Sequence, residues 1–418
     1  MNTNSRFEQK YIVSTKEKIL DWLSFGRNEF FIIFSMFFFS IANANFMPYA
    51  PIWLKKLFDV ESFVVLGLTN AIYNGMLVVG TILWGFFADK FGTKKFIIGG
   101  LIALGLMYFS LIFSMSPVYF LVIILVGFFF GSAQQANYYA MATVETSKSK
   151  EMILGKITAI TSLGWIIMSP ITGIIYDKKG DNAMIIQLII AIVSIVIALV
   201  FILFAKESRS KDLDLKKKPL KQSVPISIYP IFFGLIIIWA FFLQGTMSGF
   251  WAYSSIYFID TLNVKAVHYS YFLIATTTLA IPVSIFLGNI KSNRKISTVA
   301  IFYLLIQALC YLFMSIFYTN SILNLILYSI PMYPFYSVSI YTLIANFSSE
   351  ERRAAAYGIF SSIGIAGVVV GILVLGAIAD NSSMGIFIML RYAFVFAVIS
   401  FAFAIVIFFL IRIKKMKD

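Results

Sequence analysis

The chain has few of the residues on which most catalytic and metal sites depend. It contains one cysteine and one histidine in 418 residues. An intrachain disulfide, a cysteine-rich metal cluster and a multi-histidine site are therefore excluded. The sequence also lacks a glycine-rich phosphate loop and a nucleophile-elbow motif. We expect neither an enzyme nor an ATP-driven pump, and no cofactor or metal.

Charge is scarce as well, and apolar residues take its place. Charged residues make up 12% of the chain, about half the share usual in soluble domains. Hydrophobic residues make up 60%, more apolar surface than a soluble core of this size can bury. A membrane-spanning helix needs about 20 mostly apolar residues. We therefore predict an all-α membrane protein with twelve transmembrane helices, over residues 30–51, 63–88, 96–114, 117–143, 154–176, 183–205, 228–258, 268–289, 297–317, 321–345, 357–379 and 389–411.

The bases are distributed unevenly between the two faces of this predicted bundle. The 33 lysines and arginines outnumber the 19 acids and give a net charge of +14. An even number of spans places both termini on one face, and 27 bases fall on that face against 6 on the other. By the positive-inside rule both termini are predicted to be cytoplasmic, in a cell membrane. The basic balance thus indicates topology rather than nucleic-acid binding. Residues 1–29 are polar and mixed in charge, so we expect no cleaved signal peptide.

A polar linker divides the predicted spans into two sets of six. It covers residues 206–227, between bundles at 30–205 and 228–411, with a cytoplasmic tail at 412–418. An internal repeat supports this division, because four residues recur 203 positions later at the same place in each half. We infer that a six-helix unit was duplicated. The first copy is Gly155, Gly164, Gly173 and Asp177, and the second is Gly358, Gly367, Gly376 and Asp380.

One short loop carries a specific pattern. The residues Gly85–Lys95, between the second and third spans, contain two glycines, one acid and three bases. They resemble the loop between helices 2 and 3 of major facilitator superfamily transporters: glycine, three residues, aspartate, a base, one residue, glycine, one residue, then bases. Alone, such residues also form a tight turn whose lysines anchor helix ends at the membrane surface. The matching positions are Gly85, Asp89, Lys90, Gly92, Lys94 and Lys95.

The second half of the chain keeps only part of this loop. Displacing Gly85 by 203 residues gives Gly288, whose loop has bases but no aspartate. Members of the resembling family often add an arginine in helix 4. No base occurs between Val118 and Thr143, so that part of the network is missing or replaced.

The resemblance implies a carrier built from two parallel six-helix repeats. It would work by alternating access and hold its substrate between the repeats near the bilayer midplane. In that family the loop latches the two halves on the cytoplasmic face and releases them when the carrier opens inward. We expect a monomer in the lipid bilayer that binds a small molecule, with a coupling proton or sodium ion as an open alternative.

Neutral polar and aromatic side chains inside several spans predict a substrate cavity. Amides are costly when they face lipid, so we expect them to face a cavity or another helix. For any one of them alone, a hydrogen bond between helices is the simpler interpretation, whereas together they would line a binding site. The candidates are Asn43, Asn45, Asn70, Asn74, Gln134, Asn137, Tyr138, Trp165, Gln244, Ser248, Trp251, Tyr333 and Tyr336.

No acid lies in the middle of a predicted span. Proton-driven carriers usually keep an ionisable group inside the membrane. The nearest candidates for a proton site are Asp260, after the seventh span, and His268, at the start of the eighth. Edge acids such as Glu29 are a further alternative, so the mode of coupling stays open.

Two substrate classes fit the sequence. The glycines of the fifth span, with Pro170, resemble the antiporter signature of drug-exporting members, which slightly favours export of a drug-like molecule or metabolite. The same glycines also simply permit close helix packing. The run Asn45–Trp53 resembles the first helix of sugar symporters and favours uptake of a neutral polar solute such as a sugar or nucleoside. A channel or a receptor on the same scaffold is a weaker alternative.

The loop resemblance generates a first prediction. Asp89→Asn keeps the size of the side chain but removes its charge, so a latch that uses the carboxylate should weaken and transport should slow about ten-fold, the effect of one charged hydrogen bond. Flux into proteoliposomes, normalised to protein content, measures this. Asp59→Asn, in a loop on the opposite face, is the control. Equal flux in both variants would contradict a gating role for Asp89.

Overall fold

The computed structural model describes residues 25–144, 150–207, 230–288, 293–331 and 353–413. Within these ranges the chain forms helices joined by short turns, and it forms no strand. The predicted all-α fold is confirmed.

Each α-helix overlaps a predicted span. Eight helical stretches in the described ranges are long and apolar enough to cross a membrane. A 3₁₀ turn at Gly180–Asn182 precedes α7, and a π-helical stretch at Ile256–Thr261 precedes α9. The α-helices are α1 (Arg27–Phe46), α2 (Ala50–Phe58), α3 (Phe63–Phe91), α4 (Thr93–Leu111), α5 (Pro117–Val144), α6 (Lys150–Lys179), α7 (Ala183–Phe204), α8 (Pro230–Trp251), α9 (Ala266–Gly288), α10 (Asn293–Ile316), α11 (Ser321–Tyr328), α12 (Arg353–Asp380) and α13 (Phe387–Ile413).

The first predicted span is divided into α1 and α2. Pro48 lies in the turn between them, and Pro51 lies in the first turn of α2, where its missing N–H leaves no helical hydrogen bond unmade. The span predicted at 321–345 is described only as far as residue 331, and α11 is its first part. The predicted domain boundary in the linker stays a prediction, because residues 208–229 lie outside the described ranges.

The helices pack mainly within two groups, which we call the N-terminal half (α1–α7) and the C-terminal half (α8–α13). In the N-terminal half α1 packs against α6 and α7, and α4 packs against α5 and α7. In the C-terminal half α8 packs against α12 and α13. The two halves meet chiefly where α3 packs against α12 and where α6 packs against α9. These two contacts have equivalent positions in the repeat.

Two of the repeated glycines lie where helices of one half meet. A Cβ atom on Gly164 would lie 3.1 Å from the backbone oxygen of Phe37 in α1 and would collide with Ser40. A Cβ atom on Gly367 would lie 2.9 Å from the backbone carbon of Phe241 in α8. The absence of a side chain therefore sets the spacing of α6 on α1 and of α12 on α8. Gly155 lies five residues after the start of α6, and Gly358 lies five residues after the start of α12.

A buried ion pair joins α1 to α6. Lys156 Nζ lies 2.6 Å from Glu29 Oε1, and the two side chains are 0% and 3% exposed. The other carboxylate oxygen of Glu29 accepts a hydrogen bond from the backbone N–H of Gly26 at 3.1 Å. The ammonium group lies 4.7 Å from the centre of the Phe25 ring. Lys156 is one of the 27 bases predicted to lie on the cytoplasmic face, but it lies inside α6, which begins at Lys150, and it is buried.

This pair generates a prediction about stability. Removing one partner of a buried ion pair leaves an uncompensated charge, which costs about 3–5 kcal/mol. Lys156→Met should therefore lower the melting temperature in detergent by several degrees. The double variant Glu29→Gln, Lys156→Met should regain most of that loss. Lys178→Met, which alters an exposed lysine near the other end of α6, is the control and should melt like the parent. A double variant no more stable than Lys156→Met would contradict the pairing.

Candidate functional site

A small, mostly apolar cavity with a few polar groups lies within the N-terminal half, among α1, α3, α4 and α5. Its volume is about 10 Å³, which is room for about one water molecule. Its lining combines amides, hydroxyls and aromatic rings with no charged side chain. The lining residues are Phe39, Asn43, Tyr73, Leu77, Leu104, Phe128, Gly131, Ser132, Gln134 and Gln135.

Two of the predicted cavity residues line this space. Asn43 Oδ1 accepts a hydrogen bond from Tyr108 Oη at 3.4 Å. Gln134 is buried, and its Oε1 has no hydrogen-bond partner among the described residues. A buried amide oxygen without a donor costs about 1–3 kcal/mol, so the cavity is stabilised by any guest that donates a hydrogen bond to it. The sequence missed Gln135 and Tyr73, although Gln135 directly follows a predicted residue.

Two other predicted residues hold helices of the same half together. Asn45 Oδ1 accepts a hydrogen bond from Thr172 Oγ1 at 2.8 Å, and its Nδ2 donates to the backbone oxygen of Gln187. Tyr138 forms a hydroxyl–hydroxyl hydrogen bond with Ser35. Both side chains are buried. These bonds use the polar atoms that would otherwise be open to a ligand.

The remaining predicted amides of the N-terminal half, apart from Asn70, bond to their own helices. Asn137 Nδ2 donates to the backbone oxygen of Ala133 at 2.6 Å, and Asn74 Nδ2 donates to that of Asn70 at 2.8 Å. Asn70 itself lies at the boundary between the halves, with its Nδ2 3.5 Å from the backbone oxygen of Ala252.

The other predicted cavity residues do not line this cavity. Trp165 and Trp251 are half-buried and pack against the hydrophobic core. Gln244 is half-buried in α8, and Ser248 lies in the same helix. Tyr333 and Tyr336 lie outside the described residues. The structure thus brings together Asn43 and Gln134 from the predicted set.

The Gly85–Lys95 loop turns at Gly92, whose φ of +96° suits glycine. Glu207, at the start of the linker, accepts hydrogen bonds from the backbone N–H groups of Thr93 at 2.5 Å and Lys94 at 3.2 Å. A carboxylate at this position satisfies the free amides at the start of α4 and opposes the helix dipole. The loop is therefore fixed to the beginning of the linker.

The three lysines of this loop differ in their exposure and contacts. Lys94 Nζ donates to the backbone oxygens of Leu203 at 2.9 Å and Ala205 at 2.6 Å, at the end of α7. Lys90 and Lys95 are exposed. Asp89 lies in the last turn of α3. The contacts of Lys94 lie within the N-terminal half, and the gating role of the loop stays a prediction.

The two predicted proton-site residues lie at the opposite end of the bundle from this loop. The carboxylate of Asp260 pairs with Lys55 and lies 2.7 Å from Lys56 Nζ. Burial alone would raise the pKa of Asp260, but the hydrogen bonds from the two lysines hold that pKa below its usual value. A carboxylate held ionised in this way is poorly suited to take up a proton near neutral pH. His268 is exposed, with its ring centre 6.4 Å from that of Tyr271.

Several polar contacts between the halves lie at the end of the bundle that contains Asp260 and Asp380, which we call the Asp380 end. Asp260 of the C-terminal half pairs there with Lys55 and Lys56 of α2. The buried hydroxyls of Tyr49 and Ser270 lie 3.1 Å apart. The opposite end, which carries Gly92, is called the loop end.

The glycines of α3 locate its described contacts with the C-terminal half toward the Asp380 end. A Cβ atom on Gly67 would lie 2.8 Å from Ile372 in α12, and one on Gly75 would lie 4.0 Å from Val369. Gly85 lies 18 residues after Gly67, which is five full helical turns and about 27 Å along the same face. A Cβ atom there would meet no described atom within 4 Å. The described contacts between α3 and α12 therefore lie toward the Asp380 end, and residues 332–352 of the C-terminal half lie outside the described ranges.

A family model described as Major Facilitator Superfamily matches residues 32–337, well over half of the chain. The chain belongs to the major facilitator superfamily. Its apolar helices make it a multi-pass membrane protein with a transporter fold. Among curated proteins none matches the chain by sequence.

Solved transporter structures share this fold over nearly the whole chain. The nucleoside transporter NupG has 15% identity and a TM-score of 0.69, covering 93% of this chain and 99% of its own. A bacterial homologue of the human lysosomal transporter Spinster, in an inward-facing and occupied conformation, has 12% identity and a TM-score of 0.72, with 92% and 97% covered. An auto-inhibited POT family peptide transporter has 11% identity and a TM-score of 0.70, with 94% and 98% covered. At these identities the likeness shows the fold.

Proposed function

We propose that the chain is an alternating-access carrier for a small, neutral, hydrogen-bonding solute of the sugar or nucleoside class. The observation that carries this proposal is the cavity lined by Asn43 and Gln134. Amides both donate and accept hydrogen bonds without carrying charge, which suits a neutral polar solute. The rings of Phe39, Tyr73 and Phe128 add flat apolar surfaces against which a sugar ring or a base packs.

The polar contacts between the two halves at the Asp380 end support alternating access. The base distribution supports a cytoplasmic position for the loop end, so contact at the Asp380 end corresponds to a carrier closed to the outside. A cavity of about 10 Å³ holds a water molecule but no solute. Substrate binding therefore requires the side chains around Gln134 to repack within the N-terminal half, a local change in addition to the movement between the halves.

Export of a drug-like molecule is the second candidate, and its support is the glycine pattern of α6. Gly164 and Gly173, however, each lie against another helix at a distance that leaves no room for a Cβ atom. Packing alone explains why these positions are glycine. The glycine pattern therefore adds no support for export beyond packing, and we propose uptake of a neutral solute from the amides of the cavity.

A ligand-stabilisation screen tests the substrate class. Nucleosides, sugars, amino acids and lipophilic cations are added in turn to the purified protein in detergent. A ligand that binds only the folded state stabilises it and so raises the melting temperature. At a ligand concentration 100 times the dissociation constant, the gain in the free energy of unfolding is about 2.7 kcal/mol. We expect shifts from sugars or nucleosides. Shifts from several unrelated lipophilic cations alone would contradict the proposal and support export.

A second prediction tests the cavity itself. Gln134→Leu removes the unpartnered oxygen, so the empty protein should be at least as stable as the parent, while the half-saturation concentration for transport should rise about ten-fold through the lost hydrogen bond. The control is Asn45→Ala, which removes an amide already bonded to Thr172 and Gln187. It should lower the melting temperature and leave the half-saturation concentration unchanged. A destabilised Gln134→Leu protein with normal half-saturation would show that Gln134 acts in packing.

A further inference from the structure

An aspartate near the end of α6 and another at the end of α12 each cap a helix of the opposite half. Asp177, near the end of α6, accepts hydrogen bonds from the backbone N–H groups of Ala266 at 2.8 Å and Val267 at 2.9 Å, one through each carboxylate oxygen. These are the first two residues of α9, whose amides have no partner within their own helix. Lys265 precedes them and has no side-chain acceptor. The start of α9 is thus capped from the N-terminal half.

The same contact occurs a second time with the halves exchanged. Asp380, the last residue of α12, accepts hydrogen bonds from the backbone N–H of Phe63 at 2.5 Å and that of Val64 at 3.1 Å, again one through each oxygen. Ser62 Oγ donates to the same carboxylate at 2.7 Å. The start of α3 is thus capped from the C-terminal half.

The two contacts are related residue by residue through the internal repeat. Asp177 and Asp380 are 203 positions apart, and so are Phe63 and Ala266, and Val64 and Val267. Each half contributes one carboxylate and receives one. Because the acceptor and the donor always belong to different halves, parting the halves at this end breaks both contacts.

A glycine four residues before each aspartate makes the contact possible. A Cβ atom on Gly173 would lie 2.7 Å from the backbone oxygen of Ala266 and 2.8 Å from Val267 Cα. A Cβ atom on Gly376 would lie 3.0 Å from Val64 Cα. The missing side chains allow α6 and α12 to approach the very residues whose amides the carboxylates bind. In each half the glycine and the aspartate four residues after it therefore act as one unit.

We propose that Gly173–Asp177 and Gly376–Asp380 are paired latches that close the substrate pathway at the Asp380 end and release together when the carrier opens there. This rests on the alternating-access function proposed above. Both aspartates are exposed, so water competes for the same amides and each latch is weak. Loss of a capping side chain shifts a helix equilibrium about five-fold, which suits a contact that breaks and re-forms in every cycle.

Distances between spin labels across the two contacts test the proposal. In the full-length chain with Cys310→Ser, one label pair is placed at Glu61→Cys and Ser383→Cys, beside the Asp380 latch. The second pair is placed at Lys179→Cys and His268→Cys, beside the Asp177 latch. All four positions are exposed. Double electron–electron resonance in proteoliposomes then reports the closed and open populations, without any substrate.

Asp177→Asn should shift both label pairs toward longer distances, with an open-to-closed ratio about five-fold higher. Asparagine offers one oxygen in place of two, so one of the two amides loses its acceptor. The pair beside Asp380 should respond as well, since the halves move as units. Gly173→Ala, which pushes α9 away without touching the carboxylate, should give the same shift.

Two control variants test whether opening results from loss of the latch contacts rather than from loss of any nearby acid or from crowding at any glycine. Asp181→Asn removes an exposed acid four residues beyond Asp177 and should leave both distance distributions unchanged. Gly164→Ala crowds α1 within its own half and should lower the melting temperature without opening the Asp380 end.

A change confined to the pair beside Asp177 would overturn the proposal and leave Asp177 as a local helix cap. The absence of change at both pairs would also overturn it. Because no substrate is present, failure of the solute screen would count against the proposed function while leaving this result intact.

Discussion

Helices inside a bilayer gain little from hydrophobic contact with one another, because lipid tails are as apolar as their side chains. Their association depends instead on close approach and on polar bonds between them. The repeated glycines supply the close approach in this chain. Gly164 and Gly367 set the spacing of helices within each half, and Gly173 and Gly376 set it between the halves. One repeated pattern thus builds both the packing within each half and the interface between the halves.

Polar groups in this structure fall into two kinds, according to whether they have partners. Asn45 and Tyr138 bond to neighbouring helices, and Lys156 is neutralised by Glu29. A buried group whose bonds are complete stabilises one arrangement of helices and has little left for a ligand. Gln134 has an unpartnered oxygen beside a cavity, and this combination is the basis of the proposed solute site. The distinction between scaffold residues and candidates for the proposed site thus rests on hydrogen bonding and on the neighbouring cavity, not on residue type.

This distinction also shows how far the sequence could be interpreted alone. Apolar length predicted the helices, and the 203-residue displacement predicted a repeat whose members occupy matching contacts. Helical spacing could place Gln134, Asn137 and Tyr138 on one helix, but it could not show that Tyr138 reaches Ser35, 103 residues away in sequence. Burial of Lys156 was missed for the same reason, since its partner lies 127 residues earlier. Long-range partners are fixed by tertiary packing, which periodicity does not encode.

The two ends of the bundle differ in symmetry, and this difference has a mechanical consequence. At the Asp380 end both copies of the repeat keep their aspartate, so two equivalent contacts join the halves. At the loop end Asp89 has no counterpart after Gly288, so any contact that uses it exists once. Two weak contacts that break together favour the closed state more than one contact of the same strength. Their free energies add when both halves move as units. If both ends act as gates, they close with unequal strength, and a bound solute would shift the balance between them only by its difference in affinity for the two states.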